Sequence, residues 1–199
     1  MTATELTIHE RELADLASVD DIEWGVRLLA ATPTHEGRDL ELLRQWARRA
    51  DKFGAQLAPV PSTARVVERD GGLERMLLAR YTSRPPTVEL YTDTLALAEE
   101  LVEARGWRAW YPAGAVRAAA LAHEAVHARL HHGPDKAALR QALDHTVLRL
   151  GRHRLAGHVA GAEEVAAHAY ARTVCGLGRS PLLLTAALRA ALPRPGREN

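Results

Sequence analysis

The sequence predicts a mostly helical α+β protein with a small antiparallel sheet set ahead of its central helix. Three observations carry this. Apolar residues recur at helical spacing over most of the chain. Residues 59–92 switch to strand-like alternation between proline and glycine punctuation. An alanine-rich, apolar stretch then carries two histidines four residues apart, His123 and His127. The 199 residues suffice for one core, and no low-complexity linker divides them. The chain reads as a single domain over 1–199: N-terminal helices over 1–54, the sheet over 59–92, the catalytic helices over 93–192 and a flexible tail over 193–199.

Local signals define each element. Asp20-Asp21 open a helix with Ile22, Val26, Leu28 and Leu29 at helical spacing, ending near Pro33. Thr34 to Gly37 begin another, in which Leu40, Leu42, Leu43, Trp46 and Ala47 share a face, and Gly54 closes it. Val66-Val67 is short and β-branched, and Asp70-Gly71-Gly72 has hairpin-turn chemistry. Met76 to Tyr81 make a second strand, and Thr87 to Tyr91 alternate as a third. Everything after Thr92 reads as helix: 95–105, a helix begun by Pro112 and stopped by Gly133-Pro134, another over about 136–150, one from Gly161 to Val174, and a last one capped by Ser180-Pro181.

Bulk composition excludes several classes. With 26 basic and 25 acidic residues the formal charge is +1, which is not the strongly basic balance of a nucleic-acid-binding domain. No run approaches the roughly 18 apolar residues of a membrane span, and the charged N-terminus lacks a secretory core. The lone Cys175 excludes an intramolecular disulfide and a cysteine-based metal site, so it reads as packing. A cytoplasmic setting follows as the expectation. Trp24, Trp46, Trp107 and Trp110 read as core anchors.

The chemistry centres on His123-Glu124-Ala125-Val126-His127. Helical positions i and i+4 stand about 40° apart and about 6 Å along the axis. Two imidazoles can therefore meet at one tetrahedral zinc while Glu124 points at the open position. Such a glutamate can take a proton from water that a catalytic zinc acidifies to a pKa of about 7. The surroundings are apolar, so the helix is expected to be buried, and buried imidazoles and carboxylates need partners. Catalytic zinc uses three protein ligands. A third histidine farther along the same run is ruled out, because Leu130 and Gly133 stand where that pattern needs glycine and histidine.

The third ligand is therefore sought in Glu163-Glu164-Val165-Ala166-Ala167-His168, where small alanines let two helices approach closely. Glu164 is the candidate and Glu163 the alternative; they point about 100° apart, so only one can face the ion. The competing explanation for both is that acidic residues complement a helix N-terminus. His168 shares the face of Glu164 and is the candidate catalytic donor to an oxyanion, or a support for Glu124. Tyr170 and Arg172 lie farther round, and His131 continues the His123 stripe. His132, His145, His153 and His158 have no ligand spacing and read as surface groups.

The strand Val88 to Tyr91, the run Leu121 to His127 and the pattern E-x-x-A-x-x-Y-A from Glu164 to Ala171 together resemble the gluzincin-type zinc metallopeptidases. The chain is most similar to the small intracellular group typified by ImmA and IrrE, over roughly residues 87–178. Ala125-Val126 replace the leucine-glycine usual there, and the "LLMP" that often follows the second motif is absent. The resemblance implies a zincin-like fold, His123, His127 and Glu164 as zinc ligands, and Glu124 as general base. A peptide or protein substrate would pair with the strand Val88 to Tyr91. Two other functions compete. Glu124 to His127 is also the E-x-x-H unit of di-iron helical proteins, although Glu164 to His168 is one residue too long for its twin. The same scaffold can also serve as a non-catalytic, zinc-binding partner protein.

Overall fold

The computed structural model describes residues 15–131, 133–150 and 153–192. The expected helix over 4–14, the tail 193–199 and His132 lie outside the described residues. The class is as predicted, mixed α+β and mostly helical, with a small three-stranded sheet. None of the helices described is long and apolar enough to cross a membrane.

Helix α1 (Asp21–Ala30) begins at Asp20, whose carboxylate accepts from the Glu23 amide at 2.8 Å. Helix α2 (Leu40–Gln56) is capped in the same way by Asp39, so it starts later than the expected Thr34; Pro33–His35 form a separate 3-10 turn. Gly54 does not close α2 but sits inside it. A Cβ built there would stand 2.0 Å from the carbonyl oxygen of Ala166. The glycine is required by a backbone-to-backbone approach, and the helix continues to Gln56.

The sheet contains β1 (Arg65–Arg69), β2 (Ala79–Ser83) and β3 (Pro86–Tyr91) in the order β1-β3-β2. It is mixed rather than antiparallel: β2 runs antiparallel to β3, while β1 lies parallel on its other side. The expected hairpin at Asp70-Gly71-Gly72 is absent because the turn is held elsewhere. The Asp93 carboxylate accepts from the amides of Gly71, Gly72 and Leu73 at 2.9, 3.1 and 3.2 Å. A Cβ on Gly72 would strike Tyr91, Thr94 and the Leu77 carbonyl. The chain therefore folds down onto the start of α3 (Thr92–Ala104) and returns on the far side of β3.

Next come α4 (Ala115–His131) and α5 (Pro134–Leu143). The helix expected to reach residue 150 ends at Leu143, where Asp144 turns left-handed (φ 51°). The β-branched Thr146-Val147 then starts a hairpin of β4 (Thr146–Leu150) and β5 (His153–Ala156) that periodicity did not reveal. Helices α6 (Ala162–Val174) and α7 (Pro181–Ala191) follow, the second capped by the Ser180 hydroxyl.

Helix α4 is the centre of the molecule because it feeds all three apolar clusters. Val116 and Ala119 join Trp24, Val102 and Leu183; Val126 and Leu130 join Trp46, Leu43 and Val165; Ala120 joins Val88 and Leu90 beneath the sheet. Trp24, Trp46 and Trp107 are buried as expected, and Trp110 is partly so. The chain ends are drawn together at Asp21, which accepts from Arg172 (2.8 Å), Arg179 (3.1 Å) and the Ser180 amide (3.0 Å). Arg172 also donates to Asp51 at 3.0 Å.

Alanine ordinarily improves a helix interior over glycine by about 1 kcal/mol. Gly54→Ala should nonetheless destabilise the protein by about 1–3 kcal/mol, the cost of overpacking, seen as a lower urea midpoint with unchanged slope. A second expectation concerns Asp93. Burial works against its ionisation, yet the hydrogen bonds from Leu73, Gly72, Thr94 and Gly71 hold its carboxyl below the usual carboxylate range. A depressed folded value gives stability that is present above the unfolded pKa of about 3.9 and lost as pH falls through the folded one. Asp93→Asn should therefore cost about 1 kcal/mol at pH 7 and progressively less as denaturation is measured below about pH 4.

Candidate metal centre

Helices α4 and α6 build the site from facing stripes of small residues. Ala166 and Ala162 pack among Val126, Ala47 and Ala50 with almost no exposure, which brings the first turn of α6 over the middle of α4. The convergence predicted for His123, His127 and Glu164 is present. His123 Nε2 lies 2.8 Å from His127 Nε2 and 3.4 Å from Glu164 Oε2. His127 Nε2 lies 3.1 Å from Glu164 Oε1. Ligands at about 2.0–2.1 Å around a tetrahedral ion stand about 3.3 Å apart, and the three measured edges bracket that value. Two imidazole nitrogens and one carboxylate form a set that can hold a divalent cation.

The electrostatics follow from burial and contact. Burial alone would raise the Glu164 carboxyl, but hydrogen bonds with His123 and His127 outweigh it and hold the group far below the ordinary range. For His127 burial opposes the charged form, yet the hydrogen bond to Glu164 prevails and raises its pKa. The carboxylate thus faces both imidazoles and favours the charged form of His127. His123 Nδ1 is enclosed and has no hydrogen-bond partner among the described residues. Metal-bound histidines usually donate that second nitrogen to an acceptor, so this one is held by packing.

That packing comes from His168, whose ring stands 4.3 Å from His123 centre to centre. Burial, and secondarily the charge of His123, push the His168 pKa well down, so the ring is neutral. A cationic donor role is not available to it; a neutral one against His123 is. Glu124 projects from α4 on the sheet side, where its Oε2 accepts from the Tyr81 amide at 2.8 Å.

The remaining candidates separate. Glu163 faces away, into a small pocket with Arg140, His158 and Leu139. Tyr170 is buried and its hydroxyl accepts from the Val60 amide, while Arg172 is committed to Asp21 and Asp51. His145 is no surface group: it packs edge-on against Trp46 at 4.9 Å. His158 is exposed, and the side chains of His131 and His153 lie outside those described. Cys175 is free and partly buried against the apolar core. The strand expected to receive substrate, Val88 to Tyr91, is paired on both sides; the sheet's outer strands are β1 and β2, and β2 is the one that meets Glu124.

Sequence reasoning missed the Tyr81 amide and a cleft of about 650 Å³ with His123, Glu124, Glu164 and His168 along one part of its wall. The rest of the wall comes from α1, α7 and residues 76–79, elements far apart in the chain, so no local signal pointed to it. Compared with known protein families, curated proteins and solved structures, the chain shows no match to any.

Removing one ligand should weaken uptake of a divalent cation far more than removing its neighbour. His127→Ala or Glu164→Ala should lower zinc affinity by more than about 100-fold, since losing an outer-shell partner alone costs 10–100-fold. Glu163→Ala should leave it within about threefold, given its separate pocket; isothermal titration of the metal-stripped protein with zinc reads both.

Proposed function

We propose that the protein is a zinc-dependent peptidase on a zincin-like scaffold. The observation that carries the reading is the triangle of His123, His127 and Glu164 with Glu124 next to His123 on the same helix, of which His123, Glu124 and Glu164 line one cleft. A zinc ion held there supplies Lewis acidity and lowers the pKa of water.

The chain's own groups account for the rest. Glu124 has one oxygen on the Tyr81 amide, which fixes the carboxylate plane and leaves Oε1 to accept a proton from water and return it to the leaving nitrogen. The open edge of β2 is suited to an extended peptide, which would bind through main-chain hydrogen bonds. Its orientation along β2 would lay the scissile bond over α4, because β2 and α4 meet at Tyr81 and Glu124. His168 is a positioning residue: neutral and against His123, it keeps that imidazole turned toward Glu164. A cytoplasmic setting agrees with the single free cysteine.

The donor count favours one ion over two. A di-iron centre draws on several carboxylates from four helices, whereas the described residues gather two imidazoles and one carboxylate.

Glu124→Gln separates the enzyme from a non-catalytic binding protein. The variant should bind zinc like the parent and lose about 100-fold or more in turnover of a quenched-fluorescence peptide library, the scale of general-base catalysis. Zinc binding by both proteins with turnover by neither would leave only the binding reading, and undiminished turnover in the variant would remove Glu124 from the role of general base.

A further inference from the structure

The cleft beside the metal triangle has a composition that its chemistry does not require. Its lining includes apolar residues from two helices, Trp24 and Leu28 on α1 and Leu184 and Leu188 on α7, together with Leu77. Each of these helices adds one arginine, Arg27 on α1 and Arg189 on α7. Both are exposed, and neither has a carboxylate partner among the described residues. Glu23, one turn before Arg27, is taken by Arg44 at 3.0 Å. The Arg27 guanidinium instead lies over the Trp24 ring, 4.8 Å from its centre, which orients it along the cleft wall. Arg189 lines the same cleft as His168. The carboxylates inside the cleft are already used, Glu124 by Tyr81 and Glu164 by the histidines. The wall thus offers a bulky apolar surface and two guanidinium groups that have no carboxylate partner among the described residues.

We infer that Arg27 and Arg189 are specificity-determining residues that select a substrate with a large apolar side chain next to a carboxylate. A cavity of about 650 Å³ is in the range that encloses a side chain plus its flanking backbone. Each lining helix offers one guanidinium to the cleft, and planar paired donors suit a carboxylate better than a point charge does. The carboxylate can be the free end of a peptide or an acidic side chain next to the apolar residue.

The substrate class rests on the peptidase reading, so the test measures binding without turnover. Three probes serve: acetyl-Leu-Phe with a free carboxylate, the same dipeptide as its amide, and acetyl-Leu-Phe-Asp amide. Wild type in EDTA should bind at least one carboxylate-bearing probe about tenfold more tightly than the neutral amide, the upper range for two ion pairs at a rim. A preference for the free acid assigns the chain terminus, and a preference for the aspartyl probe assigns an internal acidic residue. In R27Q/R189Q the ratio of charged to neutral affinity should fall to near one with an unchanged melting temperature, and R27K/R189K should restore part of it. Equal affinity of all three probes for wild type, or an undiminished ratio in R27Q/R189Q, would overturn the proposal. His127→Ala makes the two readings separable. Retained charge preference without zinc uptake supports the cleft alone, and peptide cleavage with no charge preference supports the hydrolase alone.

Discussion

The metal triangle depends on how closely α6 can lie against its neighbours. A glutamate has a short reach, so its carboxylate meets two imidazoles on another helix only if the backbones approach to near the minimum that side chains permit. Small residues create that approach. Gly54 on α2 leaves room for the Ala166 carbonyl, and Gly25 on α1 leaves only 3.2–3.3 Å between a notional Cβ and Ala47 or Val165. Alanines 162, 166 and 167 are fully buried in the same seam. Close-packed interiors do not yield gradually, so α6 is clamped from behind and Glu164 is delivered to one place.

That place is apolar, which sets the charge state. Burial works against the Glu164 carboxylate, the hydrogen bonds with His123 and His127 outweigh that, and Glu164 in turn favours the charged form of His127. The three groups form a mutually dependent set poised to enclose a positive charge. Glu124, next to His123 on the same helix, is instead held by the β2 amide of Tyr81. One helix thus presents two carboxyl environments, one pairing with histidine and one anchored to a strand edge.

Much of this was legible in the chain. His123, Glu124 and His127 could be read because the geometry of a helix fixes their relation without any tertiary information. The reach to Glu164 rested on alanine content and on a resemblance, and periodicity alone left Glu163 open. Sheet order was not legible: whether Val66-Val67 pairs with Tyr81 or with Val88 depends on Asp93, which captures the 71–73 amides from the next helix. The end of α5 at Asp144 hid behind a good helical pattern that β-branched residues then overrode. Gly54 looked like a terminator because its true reason, the Ala166 carbonyl, lies more than a hundred residues away. The cleft arginines share that difficulty, standing on helices at opposite ends of the chain.

The cluster at Asp21 has a kinetic consequence. Its carboxylate ties the first described helix to Arg172, Arg179 and the Ser180 amide, on either side of the link between the last two helices, and Arg172 extends the tie to Asp51. Opening of either segment would strip charged donors and acceptors of their partners in the other, so α1 and the link between α6 and α7 melt as one cooperative unit. The partners of Asp21 stand 151 to 159 residues from it along the chain, so the tie closes only after a long loop has been ordered, a step that local contacts do not need.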